Sequence, residues 1–164
     1  MRRIVSGIRN LEEAWYFINA GVDGLGFILE PKSKKYINPE SAREIILQLP
    51  PLITTIAVFA NTPRYVIQEL TTFCRLDWFL FSGSESPKEC EDYFQPIIKY
   101  LTNYDLHKEY KEVNNFLFDS DTTTPFDLNG WETSQTIFHS TDSTKNEIKA
   151  FALYLDLSSI EFEI

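Results

Sequence analysis

Residues 3–29, with the sequence RIVSGIRNLEEAWYFINAGVDGLGFIL, contain the signals for a strand, a helix and a second strand in close succession. Asn10 and Glu13 have the spacing of a capping box, which predicts that a helix begins just after Asn10. Apolar residues then recur at every third or fourth position, and Gly21 is typical of the left-handed position that ends a helix. The apolar run from Leu25 to Leu29 predicts a strand buried on both faces. The stretch is therefore predicted to form a βαβ unit.

The same combination of helix cap, helix and apolar strand recurs along the chain. At three places a capping side chain precedes a proline suited to the first helical position: Asn38-Pro39, Thr62-Pro63 and Ser86-Pro87. Thr144 and Glu147 have the spacing of a further capping box. Eight strands that alternate with helical segments predict an α/β protein with a (β/α)8 TIM-type barrel, and an open doubly wound sheet is the alternative. The strands are expected near residues 3–5, 24–29, 54–59, 78–81, 97–101, 115–119, 136–138 and 154–157.

The length of the chain requires such a barrel to be trimmed. A (β/α)8 barrel usually has about 250 residues and at least roughly 200, whereas this sequence has 164. Residues 120–135 offer little helical pattern, and few residues follow the eighth strand candidate. We therefore expect a single domain over residues 1–164 in which the sixth helix is reduced and the last helix is missing.

The C-terminal tail predicts a contact that covers the surface left by the missing helix. Ile160, Phe162 and Ile164 alternate with glutamates, which is the period of a half-buried strand. Such a tail can extend the eighth strand, pair with the edge of another chain, or remain a solvated terminus. We expect a homodimer seam formed by the tail and by the first helix around Trp15, Tyr16 and Ile18.

Composition and charge restrict the class of protein. Hydrophobic residues make up 43% of the chain, but no apolar run approaches the roughly 20 residues of a membrane span. The formal charge of −9 argues against nucleic acid as a partner, because few cations are available to neutralise phosphates. The N-terminus carries no signal-peptide pattern. We therefore expect a cytoplasmic domain with neither a membrane nor a nucleic-acid partner.

The two cysteines indicate thiols without a metal. Cys74 and Cys90 fall on predicted helices, and they lack the close spacing of a metal-binding pair. Free thiols are the usual state of cysteine in a reducing compartment. We expect no metal ion and no cofactor.

Several short motifs, in the order in which they occur, are shared with one enzyme family. The chain resembles phosphoribosylanthranilate isomerase, and the resemblance is dense through about residue 100. It implies a (β/α)8 barrel, an Amadori rearrangement in tryptophan biosynthesis, and a phosphosugar or anthranilate-like small molecule as ligand. The motifs that carry it are Ser6-Gly7, Ala20-Gly21-Val22-Asp23-Gly24-Leu25-Gly26-Phe27, Pro31-Lys32-Ser33-Lys34-Lys35-Tyr36, Leu49-Pro50-Pro51, Val58-Phe59, Leu76-Asp77, Gly83-Ser84-Glu85-Ser86-Pro87, Leu117-Phe118-Asp119-Ser120 and Leu155-Asp156-Leu157-Ser158-Ser159.

The resemblance assigns two catalytic positions. The family's general base is a cysteine at the end of the first strand, where this chain has Ser6, and its general acid is an aspartate that corresponds to Asp119. A thiol reaches a useful thiolate fraction near neutral pH, whereas a serine hydroxyl needs a dedicated base beside it. Neither His107, in a helical segment, nor His139, expected after the seventh strand, is placed to act as that base.

The resemblance also assigns substrate-binding positions, which are Lys35, Ser82, Ser140 and Ser159. Lys35, or its neighbour Lys34, stands where the family has an arginine, and Ser82 stands in the polar rim of the barrel. The family binds phosphate on glycine-rich loops, where the main chain can approach closely. In their place this chain has residues 120–125, 139–142 and 158–160, in which Asp121 and Asp142 would repel a phosphate.

These changes predict a degenerate isomerase that folds but has impaired or very weak catalysis. The base, the phosphate loops and the polar rim have changed together, while the helices keep their apolar patterning. Two alternatives remain open. One is an active isomerase that performs the same rearrangement with an altered base, and the other is a non-catalytic interaction or small-ligand-binding protein.

Overall fold

The computed structural model describes the backbone of residues 2–119, 136–140, 152–154 and 159–163. Three α-helices lie in the described part: α1 (Leu11–Asn19), α2 (Pro39–Ile46) and α3 (Arg64–Cys74). Two 3-10 helices follow, Pro87–Cys90 and Tyr104–Glu109. The strands are β1 (Arg2–Ser6), β2 (Gly24–Ile28), β3 (Thr54–Phe59), β4 (Trp78–Phe81), β5 (Ile97–Leu101), β6 (Asn115–Asp119), β7 (Thr136–Ser140), β8 (Ala152–Tyr154) and β9 (Ser159–Glu163).

The strands form one closed sheet. β1 to β7 pair in parallel and in sequence order, so that each strand neighbours the next one along the chain. β8 then runs antiparallel between β7 and β9, and β9 pairs in parallel with β1. The parallel barrel predicted from the sequence is therefore confirmed, and closure rules out the open doubly wound sheet.

The end of the barrel differs from the prediction. A parallel eighth strand was expected near residues 154–157, but residues 152–154 form a short antiparallel strand, and the parallel strand beside β1 is formed by the tail. In this pairing Arg2 lies opposite Ile160 and Val5 lies opposite Glu163. The tail is therefore paired within the chain and is not a free edge, whereas the homodimer seam stays a prediction. Pairing within the chain satisfies the edge of β1, which would otherwise be open to another strand.

Side-chain caps begin the first two helices as the sequence predicts. The Asn10 side chain accepts a hydrogen bond from the Glu13 amide at 2.8 Å. Glu13 in turn accepts from the amide of Arg9 at 2.9 Å, one residue earlier than in a standard capping box. Asn38 caps α2 in the same way, because it accepts from the Ser41 amide at 2.8 Å.

One later helix start was predicted incorrectly, and another begins a shorter helix than expected. α3 begins at Arg64 with Pro63 as its cap residue, so that no side chain caps its first turn and Thr62 lies one position too early. Ser86 and Glu89 do form a capping box, but it begins a 3-10 helix of four residues instead of an α-helix. The segments after β4 and β5 thus contain short 3-10 helices where a complete (β/α)8 barrel has α-helices. The reduced sixth helix and the cap at Thr144 fall outside the described residues.

The core consists of two layers separated by the sheet. The outer layer joins strand residues such as Phe27 and Phe79 to buried helix residues such as Ala42 and Ile67. The inner layer contains strand residues alone, which places it in the barrel interior: Ile4, Ile28, Ile56, Val58, Leu80, Ile98 and Leu117. All five residues of β2 are buried, as its continuous apolar run predicts.

Within the described ranges, the helices are too short or too polar to cross a membrane.

The contrast between the caps of α2 and α3 predicts a difference in stability. Replacing Asn38→Ala removes the acceptor for the Ser41 amide and should lower the free energy of unfolding by about 1 kcal/mol. Thr62→Ala removes no cap and should change it by less than about 0.5 kcal/mol. Urea denaturation of both variants measures the two effects, and equal losses would contradict the assignment of the caps.

Candidate functional site

The candidate catalytic positions lie at the carboxyl ends of the parallel strands. Ser6 is the last residue of β1, Asp119 is the last residue of β6, and Ser140 is the last residue of β7. Asp119 and Ser140 lie opposite each other in register. Ser82 directly follows β4. Because the strands run in one direction, these four positions share one rim of the barrel, which is the end where (β/α)8 enzymes carry their active sites.

Alternation along the strands places two of these positions on the interior face. Ser6 follows the interior residue Ile4 by two positions, and Ser82 follows Leu80 by two. Residues two apart in a strand share a face. Ser6 and Ser82 therefore continue the inner layer towards the barrel mouth.

Ser6 is held closely against β2. Its side chain is 5% exposed, and its hydroxyl has no hydrogen-bond partner among the described residues. A Cβ added to Gly26 would lie 2.7 Å from both side-chain atoms of Ser6, so only glycine fits there. The amides of Gly7 and Ile8 both donate to the Gly26 carbonyl, at 2.9 and 3.2 Å. The position is thus fixed, but no described group activates the hydroxyl.

Lys35 lies across the turn that follows β1. Gly7 has a φ of +89°, and a Cβ added to it would meet Cδ of Lys35 at 2.8 Å. The Lys35 amide donates to the Ser33 hydroxyl at 3.2 Å, which helps to shape the loop between β2 and α2. Lys35 is half-buried, and the aliphatic part of its side chain lies beside Gly7, the residue that follows Ser6.

A groove of about 650 Å³ lies between the β2–α2 loop and the start of α3. Lys32 and Tyr36 line it from the loop, and Asn61 and Val66 line it from the opposite side. Lys35 does not line this groove, so the loop presents different residues to the groove and to the turn beside Ser6.

The other predicted binding positions differ in placement. The Ser82 hydroxyl donates to the Phe59 carbonyl at 3.0 Å, which ties the rim of β4 to β3. Ser159 begins β9 next to Ile160, which lies opposite Arg2 at the amino end of β1. The structure therefore brings Ser140 to the rim with Ser6 but leaves Ser159 at the other end of the barrel.

The two histidines considered as a base for Ser6 lie in different elements. His107 lies in the second 3-10 helix, where its ring contacts Phe116 with 5.9 Å between the centroids. His139 was expected to follow the seventh strand, but it lies within β7. The proposed phosphate-loop segments 120–125, 141–142 and 158 fall outside the described residues.

Sequence reasoning missed a buried ion pair beside this rim. Nζ of Lys99, in the middle of β5, lies 2.7 Å from Oε2 of Glu85. A lysine inside the apolar run 97–101 is the sequence signal that could have indicated it, because lysine is rarely buried without a partner.

Both cysteines are buried free thiols, as the sequence predicts. Burial raises the pKa of Cys74 to about 11 and that of Cys90 to about 12. The Cys74 thiol also donates to the Pro39 carbonyl at 3.4 Å. Across the described ranges, no three His, Cys, Asp or Glu side chains are grouped as a metal site requires.

These thiols should be inert in the folded protein. A pH of 8 is well below both raised pKa values, so both thiols remain protonated. Ellman's reagent should therefore label neither thiol in the native protein and should label two per chain after denaturation. Labelling of the native protein should accelerate only as the pH approaches about 11. Rapid reaction of a native thiol at pH 8 would contradict the buried placement.

Comparison with known proteins identifies the family. Residues 4–137 match the sequence model of N-(5'phosphoribosyl)anthranilate (PRA) isomerase. The N-(5'-phosphoribosyl)anthranilate isomerase of Moorella thermoacetica is 44% identical over 121 residues, which are 71% of this chain and 54% of that protein. This chain thus spans about half the length of that relative.

Solved structures agree in fold. The phosphoribosyl anthranilate isomerase of Thermus thermophilus superimposes with a TM-score of 0.68 at 31% identity, over 73% of this chain and 62% of that one. An isomerase in complex with reduced 1-(o-carboxyphenylamino)-1-deoxyribulose 5-phosphate gives 0.66 at 32% identity, over 73% and 65%. The match over residues 4–137 shows that the chain belongs to the N-(5'-phosphoribosyl)anthranilate isomerase family.

Proposed function

We propose that this chain is a phosphoribosylanthranilate isomerase homologue of tryptophan biosynthesis that keeps weak binding of the family's ligand but is catalytically impaired. The observation that carries the proposal is the Ser6 hydroxyl. It stands where the family has its cysteine base, and it is buried without a hydrogen-bond partner among the described residues.

The chemistry explains why this exchange matters. The rearrangement needs a base that removes a proton from a sugar carbon and an acid that protonates the ribose ring oxygen. An unassisted hydroxyl holds its proton near neutral pH and cannot accept another from carbon. Loss of a positioned base costs roughly 10²- to 10⁴-fold in rate. The proposal therefore predicts residual activity at most.

Asp119 is the proposed general acid. It ends β6 beside the register position of Ser140, on the same rim as Ser6. This location agrees with transfer of a proton from one side of the barrel mouth while a base acts from the other.

Lys35 is the proposed ligand for the anthranilate carboxylate, and Ser82 and Ser140 are proposed polar contacts of the rim. A lysine keeps the charge of the family's arginine but loses its two-point hydrogen bonding to a carboxylate. The anthranilate carboxylate should therefore bind more weakly to Lys35 than to an arginine. Ser159 is not included, because it begins β9 at the other end of the barrel.

One observation favours the alternative of an active enzyme with an altered base. The aliphatic part of the Lys35 side chain packs across the turn at Gly7, the residue that follows Ser6. Lys35→Met should then abolish the residual turnover, whereas Lys34→Met, on the exposed neighbour, should not. Equal activity of both variants would remove Lys35 as a base.

Self-association and a cytoplasmic location stay proposals. The described part of the predicted seam that lies on the surface is α1, where Trp15 and Tyr16 are exposed. Sedimentation of the wild type beside a Trp15→Ser/Tyr16→Ser variant measures whether this face joins two copies.

The purified protein should give no rearrangement of phosphoribosylanthranilate above the uncatalysed rate. A fluorescence assay of substrate consumption measures this, with an active family member as the positive control. Complementation of a strain that lacks the isomerase would contradict the proposal.

Ser6→Cys alone should recover less than the roughly 10²- to 10⁴-fold that a positioned base contributes. The reason is that the sequence after Asp119 lacks the glycine-rich phosphate loop, so the ligand is not held in a reactive geometry. Single-turnover kinetics of the variant measures the gain. Full recovery would show that ligand binding is intact and that the base is the sole defect.

A further inference from the structure

Lys99 and Glu85 form an ion pair that is removed from solvent. Lys99 is 1% exposed and Glu85 is 5% exposed, with 2.7 Å between Nζ and Oε2. Lys99 lies between Ile97 and Leu101, which belong to the outer core layer, so its side chain lies on the outer face of β5. The proposed chemistry at the barrel interior makes no use of this pair.

Every donor of the Lys99 ammonium has an acceptor. Besides Glu85, Nζ donates to the Gly83 carbonyl at 2.7 Å and to the Phe81 carbonyl at 3.4 Å. An ammonium has three N–H groups, so its donors are fully used. Ser82, the rim residue, lies between the two residues whose carbonyls bind Lys99.

The second oxygen of Glu85 extends the network to the loop after β3. Oε1 accepts from the amide of Asn61 at 2.7 Å. Asn61 has a φ of 52°, and its side-chain oxygen accepts from both the amide and the hydroxyl of Ser84, at 2.9 Å each. A Cβ added to Gly83 would lie 2.7 Å from the Asn61 nitrogen, so the two loops pack against each other without space to spare.

Stability alone does not account for such a pair. Desolvation of two charges opposes their attraction, and apolar residues of similar size in place of a buried ion pair are often neutral or stabilising. Apolar residues, however, cannot form the directional hydrogen bonds that fix main-chain groups in place. The network holds the main chain of the β3 and β4 loops at four defined points, which are the carbonyls of Phe81 and Gly83 and the amides of Asn61 and Ser84.

We propose that Lys99 and Glu85 are positioning residues that hold the β3 and β4 loops in place for ligand binding at the barrel mouth. They act through Ser82, on the rim, and through Asn61, which lines the 650 Å³ groove. The part that concerns ligand binding rests on the proposed function. The part that concerns the loops does not.

The test replaces both charges with unbranched apolar side chains in Lys99→Met/Glu85→Met. The matched control is Lys108→Met/Asp105→Met, which makes the corresponding change at an ion pair whose side chains are 69% and 77% exposed. Three quantities are measured: the midpoint of thermal unfolding, amide hydrogen exchange in peptides that contain Asn61 and Ser84, and affinity for reduced 1-(o-carboxyphenylamino)-1-deoxyribulose 5-phosphate.

The double variant should unfold at a temperature close to that of the wild type. It should exchange the Asn61 and Ser84 amides at least about tenfold faster, and bind the reduced analogue at least about tenfold more weakly. The exposed control should change none of the three. Unchanged exchange and unchanged affinity in the double variant would overturn the proposal.

Two further outcomes are separated by design. If the wild type does not bind the analogue, the proposed function fails, and hydrogen exchange alone then decides whether the pair positions the loops. If the double variant does not fold, Asn61→Gly takes its place, because glycine keeps the left-handed backbone and removes only the acceptor for Ser84. Faster exchange at Ser84 in that variant supports the network, and wild-type protection there contradicts it.

Discussion

Parallel pairing of consecutive strands is the constraint from which the functional geometry follows. Seven strands run in the same direction and in sequence order, so the residues that end them meet at one rim. Ser6 and Asp119 are more than a hundred positions apart in the chain, yet both occupy this rim because each ends its strand. The inner apolar layer, from Ile4 to Leu117, keeps the strands in one closed sheet and thereby keeps the rim in place. A mutation that opened the sheet would therefore affect the site without touching it.

Local signals predicted the elements whose cause is local. The caps at Asn10 and Asn38 and the apolar run of β2 depend on residues within a few positions of one another, and each is found as expected. Ser86 shows the limit of such a signal. Its capping box forms, but only a 3-10 turn follows it, since a cap begins a helix and does not determine how far the helix continues.

Long-range pairing was outside the reach of these local signals. The alternation of the tail predicts a strand, and residues 159–163 do form one, but the identity of its partner depends on where β1 lies after the barrel has closed. The ion pair between Lys99 and Glu85 could not be predicted for the same reason, because its partners come from different elements of the fold. A lysine in an apolar strand indicates that a partner exists, while only the fold shows that the partner comes from the loop after β4.

The rim combines a buried serine hydroxyl that has no described hydrogen-bond partner with a nearby network of hydrogen-bonded polar groups. At Ser6 a hydroxyl stands buried without a hydrogen bond from any described group, which is an unfavourable arrangement that packing against Gly26 nevertheless maintains. A few strands away, Lys99 has every donor satisfied, at the cost of burying a charge. If the chain needed stability alone, apolar residues would serve at both positions. Burying Lys99 and Glu85 costs desolvation free energy, but their directional hydrogen bonds fix the main chain of the loops that carry Ser82 and Asn61. Such a network beside the Ser6 position is what the proposed role of the barrel mouth in ligand binding requires, because a bound ligand needs loops held in one arrangement.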